Sequence, residues 1–268
     1  MKFAIAGVGA WGKGFTSWEQ LQSLLRGEQP ADDPSSAKGP KPTLIPANER
    51  RRAPLTARLA VETSHQAVLA AGVDAQTLSC VFGSGYGDTA VTDYLCRALN
   101  TDDKQLSPTK FHNSVHNAPA GYWTISTGCC RPANSIAALE YTAGMTLLEA
   151  VSQCYSEQEP VLLTLFDVPV APTLMAMFSC DAIFGLSMVL APVVDVDQGG
   201  YSLRIIDAGQ QQADQTHGLQ GGLRQHYESN PSAKLLPLLQ CHREGSTMAE
   251  ILVPISAHRA LAISGNNQ

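Results

Sequence analysis

At 268 residues the chain is long enough for one large domain or two small ones, with a well-buried core. Hydrophobic residues make up 44% and charged residues only 16%, against roughly 25% charged in a typical soluble domain, so extra apolar surface and a large partner interface are expected. The net charge of −6, from 18 Lys+Arg and 24 Asp+Glu, repels phosphate backbones on average and argues against nucleic acid as a partner.

Residues 2–8 read as a buried strand of small and β-branched residues. The apolar start is broken by Gly7, Gly9, Gly12 and Gly14, and no cleavage site follows, which argues against a signal peptide. No stretch approaches the roughly 18 apolar residues of a membrane span, and a soluble, cytosolic protein is expected. Residues 27–52, rich in Pro, Ser, Lys and Asp, read as a surface excursion. Pro54 and Gly72 bracket a helix whose Ala57, Ala60, Val61, Ser64, Ala67, Val68 and Ala71 recur at helical spacing. Its small inner face must pack close to a neighbour. A strand at 78–82, the turn GSGYGD and a helix at 89–99 follow, then a polar loop, a short helix from Ala118, a strand at 134–139 and a helix at 141–155. Strands are expected at 161–166, 183–190 and 201–206, the last two as a hairpin because the link between them is too short for a helical crossover. From Gly209 the chain turns polar, with a helix near 233–240 and a weak strand near 250–255. The alternation specifies an α/β fold with a mostly parallel or mixed sheet covered by helices.

Four motifs invite a chemical reading. Gly7-Val8-Gly9-Ala10-Trp11-Gly12 matches Gly-x-Gly-x-x-Gly, but Lys13, Gly14 and a Pro/Ser loop stand where a dinucleotide site needs a helix and a second strand. The context favours a tight turn, and no cofactor is expected. Ser84 sits in a strand-to-helix turn without the flanking glycines of a nucleophile elbow. The seven cysteines, at 80, 96, 129, 130, 154, 180 and 241, have no metal-ligand spacing and read as reduced thiols. Cys129-Cys130, with His112 and His116 upstream, could supply a thiolate, though two packed thiols before Arg131-Pro132 is the plainer reading. His217-Gly218-Leu219-Gln220-Gly221-Gly222 lacks a presenting strand and reads as loop.

The segment 107–144, SPTKFHNSVHNAPAGYWTISTGCCRPANSIAALEYTAG, resembles the stretch around the nucleophile of β-ketoacyl synthases of the thiolase fold. Asn117, Gly121, Pro132 and residues 135–139 register on it without a gap, and the family's active-site Cys then falls on Glu140. A thiolate at that junction would be favoured by the backbone N–H groups and helix dipole, whereas a carboxylate there is a poor acyl acceptor. The family's two supporting histidines have no counterpart: His217-Gly218 lacks the following Thr-Gly, and His242 and His258 lack a preceding Gly. Arg131 replaces the usual Gly.

With LIPANERRRAP at 44–54, the chain resembles the short chain-length-factor type of aryl-polyene-like pathways. This implies a thiolase-like fold of a single half, residues 1–209, with a C-terminal extension at 210–268. It also implies a non-catalytic subunit paired with a catalytic ketosynthase, which meets an acyl carrier protein through the complex and shapes the acyl tunnel. Phe111, His112, Asn113, Ser114, His116 and Asn117 fall in the loop that packs at the family's dimer interface near that tunnel. A polar loop satisfying its own backbone competes for each of these residues. Arg50-Arg51-Arg52 reads either as a solvated charge run or as a dock for an acidic carrier protein or a partner carboxylate. The alternative from the enzyme class is an autonomous acyl-thioester decarboxylase or acyltransferase using Glu140 or Cys130.

Overall fold

The computed structural model describes residues 1–28, 38–193, 200–207, 219–244 and 250–265. Its strands are β1 (Lys2–Gly12), β2 (Ser79–Gly83), β3 (Ala133–Ile136), β4 (Val161–Asp167), β5 (Phe184–Ala191), β6 (Tyr201–Asp207), β7 (Ile251–Pro254) and β8 (Arg259–Gly265), in one sheet of order β3-β2-β4-β5-β1-β6-β8-β7. The pairs β2–β3 and β2–β4 are parallel, and every pairing from β4 to β7 is antiparallel.

The helices are α1 (Trp18–Leu25), α2 (Ala47–Arg50), α3 (Leu55–Ala71), α4 (Thr89–Leu99), α5 (Pro108–His112), α6 (Ala118–Thr127), α7 (Thr142–Glu157), α8 (Gly221–Ser229) and α9 (Leu236–Glu244). Helices α3 and α6 close one face of the sheet over Leu59, Val68, Phe82, Trp123 and Phe166. On the other face α7, α9 and α1 enclose Leu147, Leu163, Leu186, Leu239 and Leu21.

Helix α3 forms as its sequence demands, entered through extended Pro54 and ended by Gly72 at φ 66°. The neighbour its small face requires is the glycine run of β1. A Cβ on Gly7 would lie 2.3 Å from the Ala67 carbonyl oxygen, one on Gly9 2.1 Å from that of Thr63, and one on Gly185 of β5 2.8 Å from Leu59. Gly7–Gly12 is therefore strand, not the tight turn expected, and its glycines admit the backbone of a helix rather than a pyrophosphate. Hydroxyls seal the same contact: Ser64 meets Thr164 at 2.7 Å, and Ser187 meets Thr63 at 2.8 Å and Thr164 at 3.0 Å. Each of these four buried hydroxyls thus has a partner.

Strands β5 and β6 do not form the expected hairpin, because β1 lies between them. It pairs with β5 from Ala4 to Gly12 and with β6 through Lys2 and Phe3. Its N-terminal ammonium donates to the Leu203 carbonyl at 2.8 Å. Stepping over one strand spans only about 10 Å, which a short link covers as easily as a hairpin does. Strand β3 ends at Ile136, short of the expected 139. The supposed loop at 217–222 opens helix α8 at Gly221, while His217 and Gly218 lie outside the described residues. The 209/210 boundary also falls outside them.

The two sheet edges differ. Ala133 and Asn134 of β3 are exposed. Strand β7 has four residues and ends in Pro254.

Gly9→Ala should cost roughly 2–3 kcal/mol in urea unfolding, because the added carbon meets backbone that cannot yield. Gly121→Ala in α6, where a Cβ meets open space, should instead stabilise by about 0.5–1 kcal/mol.

Candidate functional site

The C-terminal ends of β2, β3 and β4 converge on one buried carboxylate. Asp167, the last residue of β4, is fully buried and accepts four hydrogen bonds: Ser84 Oγ at 2.8 Å, Gly85 N at 3.2 Å, Tyr86 N at 3.1 Å and Ser232 Oγ at 2.6 Å. Burial pushes its pKa up, and all four donors pull it back. Ser84 in turn accepts from Gly87 N at 2.9 Å, so the expected turn residue is a strut rather than a nucleophile. Asp88 then caps α4, accepting from Val91 N at 3.0 Å.

The second wall is the β3–α7 junction. Leu139 takes φ 50°, a left-handed conformation unusual for a residue with a Cβ, and Thr142 Oγ1 braces it by donating to the Leu139 carbonyl and accepting from Ala138 N, both at 2.8 Å. Glu140 stands in the 3₁₀ turn Leu139–Tyr141, one residue before the N-cap Tyr141, so it precedes α7 rather than opening it.

The third wall comes from the C-terminal part of the chain. The 3₁₀ turn Pro231–Leu235 is buried at Pro231, Ser232, Ala233 and Leu235, and Asn230 anchors it by donating to the Ala182 carbonyl at 3.0 Å. A Cβ on Gly85 would lie 2.7 Å from Pro231 and 3.0 Å from the Leu139 carbonyl oxygen, so turn, junction and C-terminal segment pack with no space between them. Burial lowers the Lys234 ammonium pKa, with the charges of Glu228 and Glu140 opposing. The Tyr86 phenol is held above its ordinary value by burial and then by the charges of Asp167, Cys180 and Glu140.

The six loop residues do not share one task. Asn113 is buried and structural, donating to the Arg52 carbonyl at 3.1 Å and accepting from Tyr122 Oη at 3.3 Å. His116 is exposed, with its Nε2 3.3 Å from the Ser84 carbonyl. Ser114 Oγ donates to the Phe111 carbonyl at 2.7 Å, and the Phe111 ring is exposed. His112 and Asn117 line a groove of about 710 Å³ between the 44–46 stretch, α2, α5 and α6, walled by Ile45, Val115 and Ile125. Ile125 is 85% exposed, and Arg52 lies at the groove. Arg50 is not part of a solvated run, since its guanidinium donates to the Pro42 carbonyl at 2.8 Å.

Cys129 and Cys130 are not two packed thiols: Cys129 is buried, while Cys130 is exposed. Cys130 precedes β3 and Glu140 follows it, which sets them at opposite ends of the strand. Sequence reasoning missed Asp167 and Ser232. The Asp that closes the apolar run VLLTLFD was the available signal, since a carboxylate ending a buried strand needs donors.

A mixed sheet closed on both faces by helices, with turns and junctions gathered at the ends of its parallel strands, is a thiolase-like architecture. A family model described as Beta-ketoacyl synthase, N-terminal domain, matches residues 18–250, and the chain belongs to that family. Similar solved structures include a ketosynthase (ApeO) in complex with its chain length factor (ApeC) from Xenorhabdus doucetiae, with TM-score 0.72, 18% identity and coverage of 98% of this chain and 99% of that one. The ishigamide ketosynthase/chain length factor has TM-score 0.69 at 10% identity, with coverage of 99% of each chain. A type II polyketide acyl-carrier protein in complex with its ketosynthase has TM-score 0.69 at 10% identity, covering 100% of this chain and 99% of that one. No curated protein sequence matches. No helix among the described residues is long and apolar enough to cross a membrane.

Asp167→Asn should cost about 2–4 kcal/mol in denaturant unfolding, because an amide offers one acceptor oxygen where four donors converge and turns its own N–H₂ toward the others.

Proposed function

We propose that this chain is a non-catalytic ketosynthase-like subunit, a chain length factor that pairs with a catalytic β-ketoacyl synthase and shapes its acyl tunnel in fatty-acid or polyene-type biosynthesis. The carrying observation is the β3–α7 junction. By sequence register the family's nucleophilic Cys falls on Glu140, which stands in the 3₁₀ turn of that junction, and the Pro231 turn packs against the junction. A carboxylate there can hold charge and shape but makes a poor acyl acceptor. In this reading residues 1–209 are the ketosynthase-like domain, and the 210–268 extension seals it. The catalytic partner supplies the thiol and histidines and brings the acyl carrier protein to the complex.

The open edge of β3 supports pairing. The carbonyls of Pro132 and Ile136 turn toward β2, accepting from Cys80 N at 2.9 Å and Ser84 N at 3.1 Å, so by alternation the backbone groups of Ala133 and Ser135 face outward, unmatched among the described residues. Exposed Phe111, Val115, Ile125 and Leu139 add apolar surface in the loop, helix and junction that flank this strand in sequence. An obligate interface here should bury well over roughly 2,000 Å². We place Phe111, His112, Asn117 and the groove on the side that meets the partner's tunnel.

Co-expression with the cognate ketosynthase should yield a 1:1 complex by size exclusion. Ser135→Pro, which removes an outward N–H and spares the β2 ladder, should abolish it. Glu140→Gln should keep both the complex and its product length. A hundredfold loss of output in an intact Glu140→Gln complex would overturn the reading, as would condensation by this chain alone that Cys130→Ala abolishes.

A further inference from the structure

We propose that Cys80 and Cys129 form a redox-sensitive pair that a hydroperoxide converts to a disulfide, tying β2 to the turn after α6. Cys80 lies in β2, fully buried, and Cys129 follows Gly128, whose φ of 70° ends α6. Both thiols donate to the same acceptor, the Leu78 carbonyl, at 3.3 and 3.4 Å. Sharing one carbonyl oxygen gathers the two sulfurs at the same point of the core. Trp123 of α6 packs in the same core cluster as Cys80, and its buried indole N–H has no hydrogen-bond partner there.

The step closes in atoms and electrons. The Cys129 sulfur attacks the peroxide O–O bond and becomes a sulfenic acid, and the displaced oxygen leaves as water with the thiol proton. The Cys80 sulfur then attacks the Cys129 sulfur; the S–O bond breaks as the S–S bond forms, and the hydroxyl leaves with the Cys80 proton as a second water. Two thiols and one hydrogen peroxide thus give one disulfide and two waters. Cys129 is the first target because it retains 6% exposure, whereas burial pushes the Cys80 thiol up to about 12 and makes the second step slow. Cys80 pairs with Ala133 across the β2–β3 ladder, so the link would form directly behind the open sheet edge.

The proposal is independent of the chain-length-factor reading, and its test needs no partner. The full-length chain carrying Cys96→Ser and Cys130→Ser, which removes the two exposed thiols, is treated with hydrogen peroxide, digested without reductant and mapped by mass spectrometry. A peptide pair joining residues 80 and 129, two fewer titratable thiols and full reversal by dithiothreitol are expected. Adding Cys80→Ser should leave Cys129 as a sulfenic acid that dimedone traps. The unaltered chain, mapped in the same way, checks that the link forms without the substitutions. Cys80 and Cys129 remaining reduced in the folded protein, dimedone trapping of Cys129 with Cys80 present, or a preferred Cys129–Cys130 link in the unaltered chain would each overturn the proposal.

Discussion

The approach of α3 to the glycines of β1 and β5 is the contact on which the rest of the structure rests. With no side chain at Gly7, Gly9 or Gly185, the helix backbone sits almost directly on the sheet. The hydroxyls of Thr63, Ser64, Thr164 and Ser187 then satisfy one another in the space left. Such an approach fixes the helix to within a few tenths of an ångström, since neither side has a rotamer to adjust. It holds β1 between β5 and β6, and so joins the β3-β2-β4-β5 side of the sheet to the β6-β8-β7 side. The layer of α3 and α6, from which the groove and the 107–117 loop are built, takes its position from that seat.

A second constraint acts at the end of the sheet. Asp167 binds the turn after β2 through three bonds and the C-terminal 3₁₀ turn through a fourth. The carboxylate thereby sets where Tyr86 and Pro231 stand, and through the packing of Gly85 against Leu139 it sets the shape of the junction that carries Glu140. A buried ionisable group is costly to desolvate, and four donors offset that cost only while turn and C-terminal segment are both docked. Site geometry and docking of the C-terminal segment are therefore one property.

Much of this was legible in sequence. The helix between Pro54 and Gly72, the strands beginning near 78 and 161 and the helices near 89, 118 and 141 follow from periodicity and caps, because their signals are local. The small face of α3 announced a close neighbour. The neighbour itself was hidden, because a Gly-x-Gly-x-x-Gly run has the same letters whether its glycines turn the chain or admit a helix. The order of β5, β1 and β6 was hidden for a related reason: a short link signals proximity, not adjacency. Register alone singles out Glu140, while the Asp167 clasp joins residues 84, 167 and 232, which no local pattern connects. Helix α1 went unseen as well, although Ser17 caps it by accepting from Gln20 N.

The unequal edges of the sheet bear on stoichiometry. Both edge strands have four residues, but β3 presents backbone groups that another strand can satisfy, whereas β7 is stopped by a proline. A sheet open at both ends can recruit copies without limit, which is the route to fibres. Among the described residues the two edges are unequal, so a strand laid against β3 would extend this sheet in one direction, away from the end that Pro254 closes.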